Sequence, residues 1–212
     1  MMKSIKQKLK KLLYPLMNIR DNKRILKWMR RGNVKIGLTR LVDCSFEIHG
    51  QGSRIVIGDG CFLKGLHCLV YGNNSEVIIG NNVHINASKV FPTIMNAFDG
   101  TRIVVGDNSL FSNSIELHTT DYHTIIGMLE EGRINPPKSI TIDSHVWIGL
   151  RTIVLKGCHI ASNNVIGAGS LVASSFEETN TIIAGNPAKV IKRNINWDIR
   201  NLPLEEINRN EK

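Results

Sequence analysis

A six-residue period limits what this chain can fold into more than any other feature. Aliphatic or aromatic residues recur in triplets spaced six apart: Ile36, Val42, Ile48; Ile57, Leu63, Leu69; Ile79, Ile85, Phe91; Val105, Phe111, Leu117; Ile142, Ile148, Val154; and Ile160, Ile166, Val172. Turn-forming residues follow many of them, as in Ile57-Gly58-Asp59-Gly60 and Val105-Gly106-Asp107-Asn108. A unit of this length is one short strand plus a sharp corner, and three units close a triangular coil. Gly and Asn fall where the corner needs positive φ, which most residues reach only at a cost. The triplets therefore predict a parallel β-helix of about six triangular coils over residues 36–175, each inward side chain stacking on its equivalent one coil away. A β-sandwich would have to produce the same spacing by coincidence. A chain with 6% aromatics and 18 Gly fits short strands and tight corners better than a helical bundle.

The period breaks before Ile79 and Val105, and for longest between Leu117 and Ile142. That stretch predicts an excursion over 118–139. Long loops inside a compact repeat domain usually carry function.

Charge is concentrated at one end. Residues 1–31 hold 11 of the 27 basic residues and one of the 18 acidic ones, Asp21, leaving 16 against 17 in the remainder. The net charge of +9 thus describes an arm and not the body, which argues against nucleic acid as a partner. Ile5, Leu9, Leu12, Leu13, Leu16 and Met17 sit at helical spacing among lysines, so residues 1–35 read as a basic amphipathic helical arm. Two readings follow: peripheral contact of residues 1–31 with an anionic membrane face, or packing on the body or a neighbouring subunit. No apolar run approaches the roughly 20 residues that cross a bilayer, and no secretory h-region is evident. Cys44, Cys61, Cys68 and Cys158 lack CxxC spacing, which fits a reducing, cytoplasmic setting.

Three segments carry a family resemblance: Ile140-Thr-Ile-Asp-Ser-His-Val-Trp-Ile-Gly149, Ile166-Gly-Ala-Gly-Ser170 and Ile183-Ala-Gly-Asn-Pro-Ala-Lys-Val-Ile191. In this order they resemble the hexapeptide-repeat acetyltransferases, in particular the branch acting on surface polysaccharides, galactosides and maltose. The resemblance covers about residues 36–197. It implies a left-handed β-helix, although parallel crossovers in general favour the right hand. It also implies a homotrimer, acetyl-CoA as donor, no metal, and a sugar hydroxyl of a surface glycan or its precursor as acceptor.

The site residues follow from the same resemblance. In Ile115-Glu-Leu-His-Thr-Thr-Asp-Tyr-His-Thr-Ile125, His123 matches the family's loop histidine, a general base toward the acceptor hydroxyl. Imidazole suits that task because its unperturbed pKa lies near working pH. Asp121 is the candidate to orient its ring. Trp147, Gly149 and Ala168 match positions along the pantetheine arm. Lys189 and Lys192 match cations that hold nucleotide phosphates. Leu150 departs from the family's small or hydroxyl residue, so no side-chain hydrogen bond reaches the cofactor there. Residues 176–212 read as a C-terminal cofactor-binding tail.

Other classes compete. His118 and His123, five apart, together with His84 could hold zinc as in γ-class carbonic anhydrases, which share the β-helix. An N-acetyltransferase acting on an amino sugar would run similar chemistry, but usually carries an N-terminal βαβ domain for which residues 1–35 have no room. A non-catalytic scaffold would need neither the loop histidine nor the cofactor-like tail.

Overall fold

A computed structural model of the chain describes residues 13–21, 25–129 and 131–203. The body is a three-sided parallel β-helix. Its first sheet stacks β1 (Val34–Ile36), β4 (Arg54–Ile57), β7 (Glu76–Ile79), β10 (Arg102–Val105), β13 (Ile140–Ile142) and β16 (His159–Ile160). The second stacks β2 (Arg40–Val42), β5 (Phe62–Lys64), β8 (His84–Asn86), β11 (Leu110–Phe111), β14 (Trp147–Ile148) and β17 (Val165–Ile166), followed by β19 (Ile182–Gly185) and β20 (Ala188–Lys192). The third stacks β3 (Ser45–Ile48), β6 (Leu66–Tyr71), β9 (Thr93–Phe98), β12 (Glu116–His118), β15 (Ile153–Val154) and β18 (Leu171–Val172). Six coils are complete. Each strand pairs in parallel with the coil below and above, so stacking satisfies the backbone.

Three columns of side chains fill the prism. On the first sheet Ile36, Ile57, Ile79, Val105, Ile142 and Ile160 stand in register. On the second the column is Leu41, Leu63, Ile85, Phe111, Ile148, Ile166 and Ile183. On the third it is Phe46, Cys68, Met95, Leu117, Val154 and Val172. Four expected column residues are replaced, and on the third sheet Phe46 stands where Ile48 was expected, Ile48 being buried beside the column. Leu41 takes the place of Val42 and Cys68 that of Leu69, because corners in the first two coils are one residue shorter. Phe91 is 57% exposed in a longer turn, and Met95 fills the core in its stead. From Val105 to Val172 the period of six holds, apart from the excursion between Leu117 and Ile142.

The prism also continues past residue 175. Phe176 bridges to Ile160 in parallel, and β19 pairs with β17, starting a seventh coil before the β19–β20 hairpin closes the stack.

At the other end the open edge of the first coil is covered by the arm. Helices Tyr14–Asp21 and Ile25–Arg30 lie against it, and Asn18 supplies the missing partners: its Nδ2 donates to Thr39 O (2.7 Å) and its Oδ1 accepts from Leu41 N (2.9 Å). An uncovered edge invites pairing with another chain, so this contact blocks stacking from below. It is the packing reading of the arm for residues 14–21. Residues 1–12, which carry most of the basic amphipathic pattern, lie outside the described residues. Among the described residues no helix is long and apolar enough to cross a membrane.

Candidate active site

The outer surface of the second sheet is shaped by what alternates with its buried column. One residue before each inward side chain, His84, Leu110, Trp147, Val165 and Ile182 face outward in register. One residue after it stand Asn86, Ser112, Gly149, Gly167 and Ala184, all short. Gly149 has no room for more: a Cβ there would lie 2.7 Å from Ala168 N and from Ile166 O. One on Gly167 would lie 2.8 Å from the Ala184 Cβ. The result is a shallow channel along the helix axis, floored by small residues and walled by Trp147. Its lower part is a cleft of about 380 Å³ lined by Asn86, Leu110, Ser112, Asn113, Trp147 and Leu150. Ala168 is exposed at the same corner, where Gly169 N donates to Leu150 O (2.7 Å).

The channel ends at two cations. In the β19–β20 hairpin, Lys189 pairs with Ala184 and Lys192 with Ile182, and the register shifts between Ile182 and Ile183. Residues three apart on a strand normally face opposite sides. The bulge at Ile191 absorbs one residue, so both lysines stand opposite outward positions and share the channel's face. Both are exposed.

The loop after β12 is built around Asn135, which sequence reasoning did not single out. Asn135 is 7% exposed, and its amide makes four hydrogen bonds. Oδ1 accepts from Ile125 N (2.8 Å) and Arg133 Nε (3.1 Å), while Nδ2 donates to Asp121 Oδ2 (2.7 Å) and to the His123 carbonyl (2.9 Å). Lys156 Nζ closes the arrangement, donating to Asp121 Oδ2 (2.5 Å) and Asn135 O (3.1 Å). The Lys156 hydrogen bond, then that of Asn135, holds the Asp121 carboxyl below the usual carboxylate range. His123 is exposed, with its backbone held on both sides: N donates to Asp121 O (2.7 Å), and its carbonyl is bound by Asn135. The Asp121 carboxylate is engaged by Lys156 and Asn135 and fixes the loop backbone that presents His123. No sequence pattern marks a lone Asn before Pro136-Pro137 as the centre of a loop.

Next to it lies a second cluster. His118 Nε2 donates to Glu116 Oε2 (2.9 Å), and its Nδ1 meets Tyr122 OH (2.8 Å) and Asn96 Nδ2 (3.2 Å). Asn96 Nδ2 also donates to Tyr122 OH (2.5 Å). The residue before His123 is thereby held at φ 63°, a left-handed value. The alternative zinc site is not assembled. His118 is committed to this cluster, His84 faces outward from the second sheet, and His123 sits on the loop. Among the described residues no three His, Cys, Asp or Glu come together as a metal site.

A prism of stacked coils, an axial channel floored by small residues and a histidine-bearing excursion define the class: a hexapeptide-repeat β-helix protein. Comparison with known proteins agrees, although no family model matches the chain. It is 31% identical over 140 residues to the galactoside O-acetyltransferase of Lactococcus lactis, covering 66% of this chain and 63% of the relative. It is 32% identical over 129 residues to the polysialic acid O-acetyltransferase of Escherichia coli O1:K1, covering 61% of this chain and 40% of the relative. The chain thus spans less than two thirds of the length of these relatives. The polysialic acid O-acetyltransferase of Neisseria meningitidis is 29% identical over 181 residues, covering 77% and 84%. Among solved structures, the polysialic acid O-acetyltransferase OatWY superposes with a TM-score of 0.57 at 22% identity, over 81% of this chain and 95% of that one. The Bacillus cereus N-acyltransferase AntD, in a complex with dTDP and coenzyme A, gives 0.58 at 19%, over 79% and 88%. These likenesses set the fold as a left-handed parallel β-helix. By sequence the chain is similar to galactoside and polysialic acid O-acetyltransferases.

Proposed function

We propose that this protein is an O-acetyltransferase that moves an acetyl group from acetyl-CoA to a sugar hydroxyl of a surface glycan or its precursor. One observation carries the reading: the channel of Gly149, Gly167 and Ala184, walled by Trp147, runs up to Lys189 and Lys192 on a single face. A long, thin cofactor with phosphates at one end needs a groove of this kind. Coenzyme A would lie with its pantetheine arm over Gly149 and Ala168, and with its phosphates at the two ammonium groups, which act as point charges.

His123 is the general base in this reading. Its imidazole takes the proton of the acceptor hydroxyl as that oxygen attacks the thioester carbonyl. The tetrahedral intermediate collapses with cleavage of the C–S bond, and the imidazolium returns the proton to the departing thiolate. The products are the sugar acetate ester and free CoA. Asp121 and Asn135 are positioning residues that hold the loop in place. In a homotrimer, the loop of one subunit would reach the channel of the next. A cytoplasmic location and contact of residues 1–31 with the inner membrane face fit lipid-linked precursors as acceptors.

The test is thiol release from acetyl-CoA with a sugar acceptor, alongside thermal unfolding with and without acetyl-CoA. Acetyl-CoA at about 100 times its Kd should stabilise the wild type by about 2.7 kcal/mol. His123→Ala should retain that stabilisation and lose about 10²–10⁴ in turnover. Full turnover in His123→Ala would remove the histidine from the mechanism. Absence of any acetyl-CoA stabilisation in the wild type would remove the donor.

A further inference from the structure

Another concavity of about 460 Å³ opens at the corner between the first and second sheets. The transferase reading gives no residue there an individual role, although Trp197 and Asp198 fall in the C-terminal tail. Asn82, His84, Asn108, His145, Trp197 and Asp198 line it. The corner itself accounts for part of this set. Asn82, Asn108 and His145 have φ of 55°, 58° and 59°, values at which Asn and His are tolerated better than most residues. It does not account for Trp197. The tail that leaves β20 returns across the prism to set this indole flat on His145, with centroids 4.3 Å apart and planes 8° apart. Trp197 Nε1 donates to His145 O (3.0 Å), which fixes the ring in place. An aromatic wall has thus been added to a polar corner by a segment far away in sequence.

The lining selects a chemistry. Asn82 and Asn108 share one long contact, Nδ2 to Oδ1 at 3.3 Å, and their amides offer both donors and acceptors. His145 donates from Nδ1 to Asn163 Oδ1 (2.9 Å), which leaves Nε2 as the ring's remaining polar atom. Burial pushes the His84 imidazole below its ordinary value, which favours its neutral form. No Lys or Arg lines the concavity, and its one acid, Asp198, is bound by Arg200 (2.7 Å). A phosphate or carboxylate ligand would meet the Asp198 carboxylate, and the neighbouring Arg200 guanidinium is already engaged with that carboxylate. A neutral, hydroxyl-rich ring with an apolar face matches mixed amide donors and acceptors beside an indole.

Trp197 also stands 6.1 Å, centroid to centroid, from Trp147, which walls the transfer cleft. We propose that the Trp197 concavity is a glycan subsite that binds a neutral sugar unit of an acceptor longer than one residue, next to the unit being acetylated. The inference rests on the transferase reading and narrows its acceptor, a surface glycan or its precursor, to one longer than a single sugar unit.

The test uses the full chain with lactose, cellotetraose, chitotetraose, a sialic acid dimer and inorganic phosphate as probes, read by Trp fluorescence and saturation-transfer NMR. At least one neutral oligosaccharide should bind, and Trp197→Ala should weaken it about tenfold or more. Asn108→Gly, which keeps the left-handed backbone and removes only the amide, should weaken it as well. In transfer assays both variants should raise KM for an oligosaccharide acceptor and leave turnover of a monosaccharide and binding of acetyl-CoA unchanged. The proposal is overturned if no neutral oligosaccharide binds, if the sialic acid dimer or phosphate binds there in preference, or if neither variant alters binding. Monosaccharide transfer with a silent pocket would sink the subsite alone. Loss of all acetyl-CoA-dependent transfer in the wild type would sink the transferase reading.

Discussion

Asn135→Ala tests whether the loop is held as a unit. The side chain makes one hydrogen bond to a carboxylate, one to the exposed Arg133 guanidinium and two to neutral groups, all within the loop. Neutral bonds contribute about 0.5–1.5 kcal/mol net, and bonds to charged groups about 1.5–3. The Asp121 side chain is 41% exposed, so water recovers part of that bond and the low end applies. With both charged bonds taken at that low end, the sum is about 4–6 kcal/mol of local loop stability, on the order of 10³–10⁴ in opening equilibrium. Hydrogen exchange should detect it at the Ile125 amide, which donates to Asn135 Oδ1, and at the Ile134 amide, which donates to Ile125 O. Exchange at Ile55, Val77 and Ile103 in the prism should not change, since the loop adds no residue to the stacked columns. Turnover should fall about 100-fold, the cost of misplacing a reacting group by about an ångström. Acetyl-CoA binding should persist, because the channel lies on other elements. Unchanged exchange at Ile125, or turnover within about threefold of wild type, would refute the idea that Asn135 positions His123.

Three further outcomes follow. Gly149→Ala puts a Cβ 2.7 Å from backbone atoms of the next coil, so it should cost about 1–3 kcal/mol in denaturant unfolding and weaken acetyl-CoA binding more than Gly169→Ala does. Glu76 is 8% exposed at its side chain between Arg54 (2.6 Å) and Arg102 (2.9 Å) on neighbouring coils, and Glu76→Ala leaves two guanidiniums facing each other. Loss of a buried partner costs about 3–5 kcal/mol, and half-exposed arginines reduce this to about 2, measurable by urea unfolding with an unchanged m-value. Desolvation lowers the pKa of His159, but hydrogen bonds to Asp143 (3.1 Å) and Glu177 (2.7 Å) outweigh it and raise the pKa above the ordinary 6.5. That stabilisation is complete below about pH 6 and is lost as pH rises through the folded-state value, so Tm should decline from pH 6 to pH 8. The imidazole is about one-third exposed, which limits the effect to about 0.5 kcal/mol, and His159→Gln should flatten the slope.

From Val105 upward the sequence alone determined the fold. An aliphatic residue every six positions can be buried only if the chain turns a corner in each interval, and the columns follow from that. The lower coils were less legible, since corners of five residues or a turn as long as Ser88–Pro92 shift the phase without changing composition. Leu41, Cys68 and Met95 are therefore apparent only in the register. The channel's floor was half legible: Gly149 and Ala168 stand in recognisable motifs, but only stacking reveals that Gly149, Gly167 and Ala184 line up. Lys189 and Lys192, three apart, share a face because of a bulge that no spacing rule announces. The rest required tertiary structure because its partners lie far apart in the chain. Asp121 reaches Lys156 across 35 residues, and Trp197 reaches His145 across 52. A local pattern encodes what repeats, and burial is what repeats here. Polar contacts between distant loops depend on where the corners release the chain, which is decided only once the whole prism has stacked.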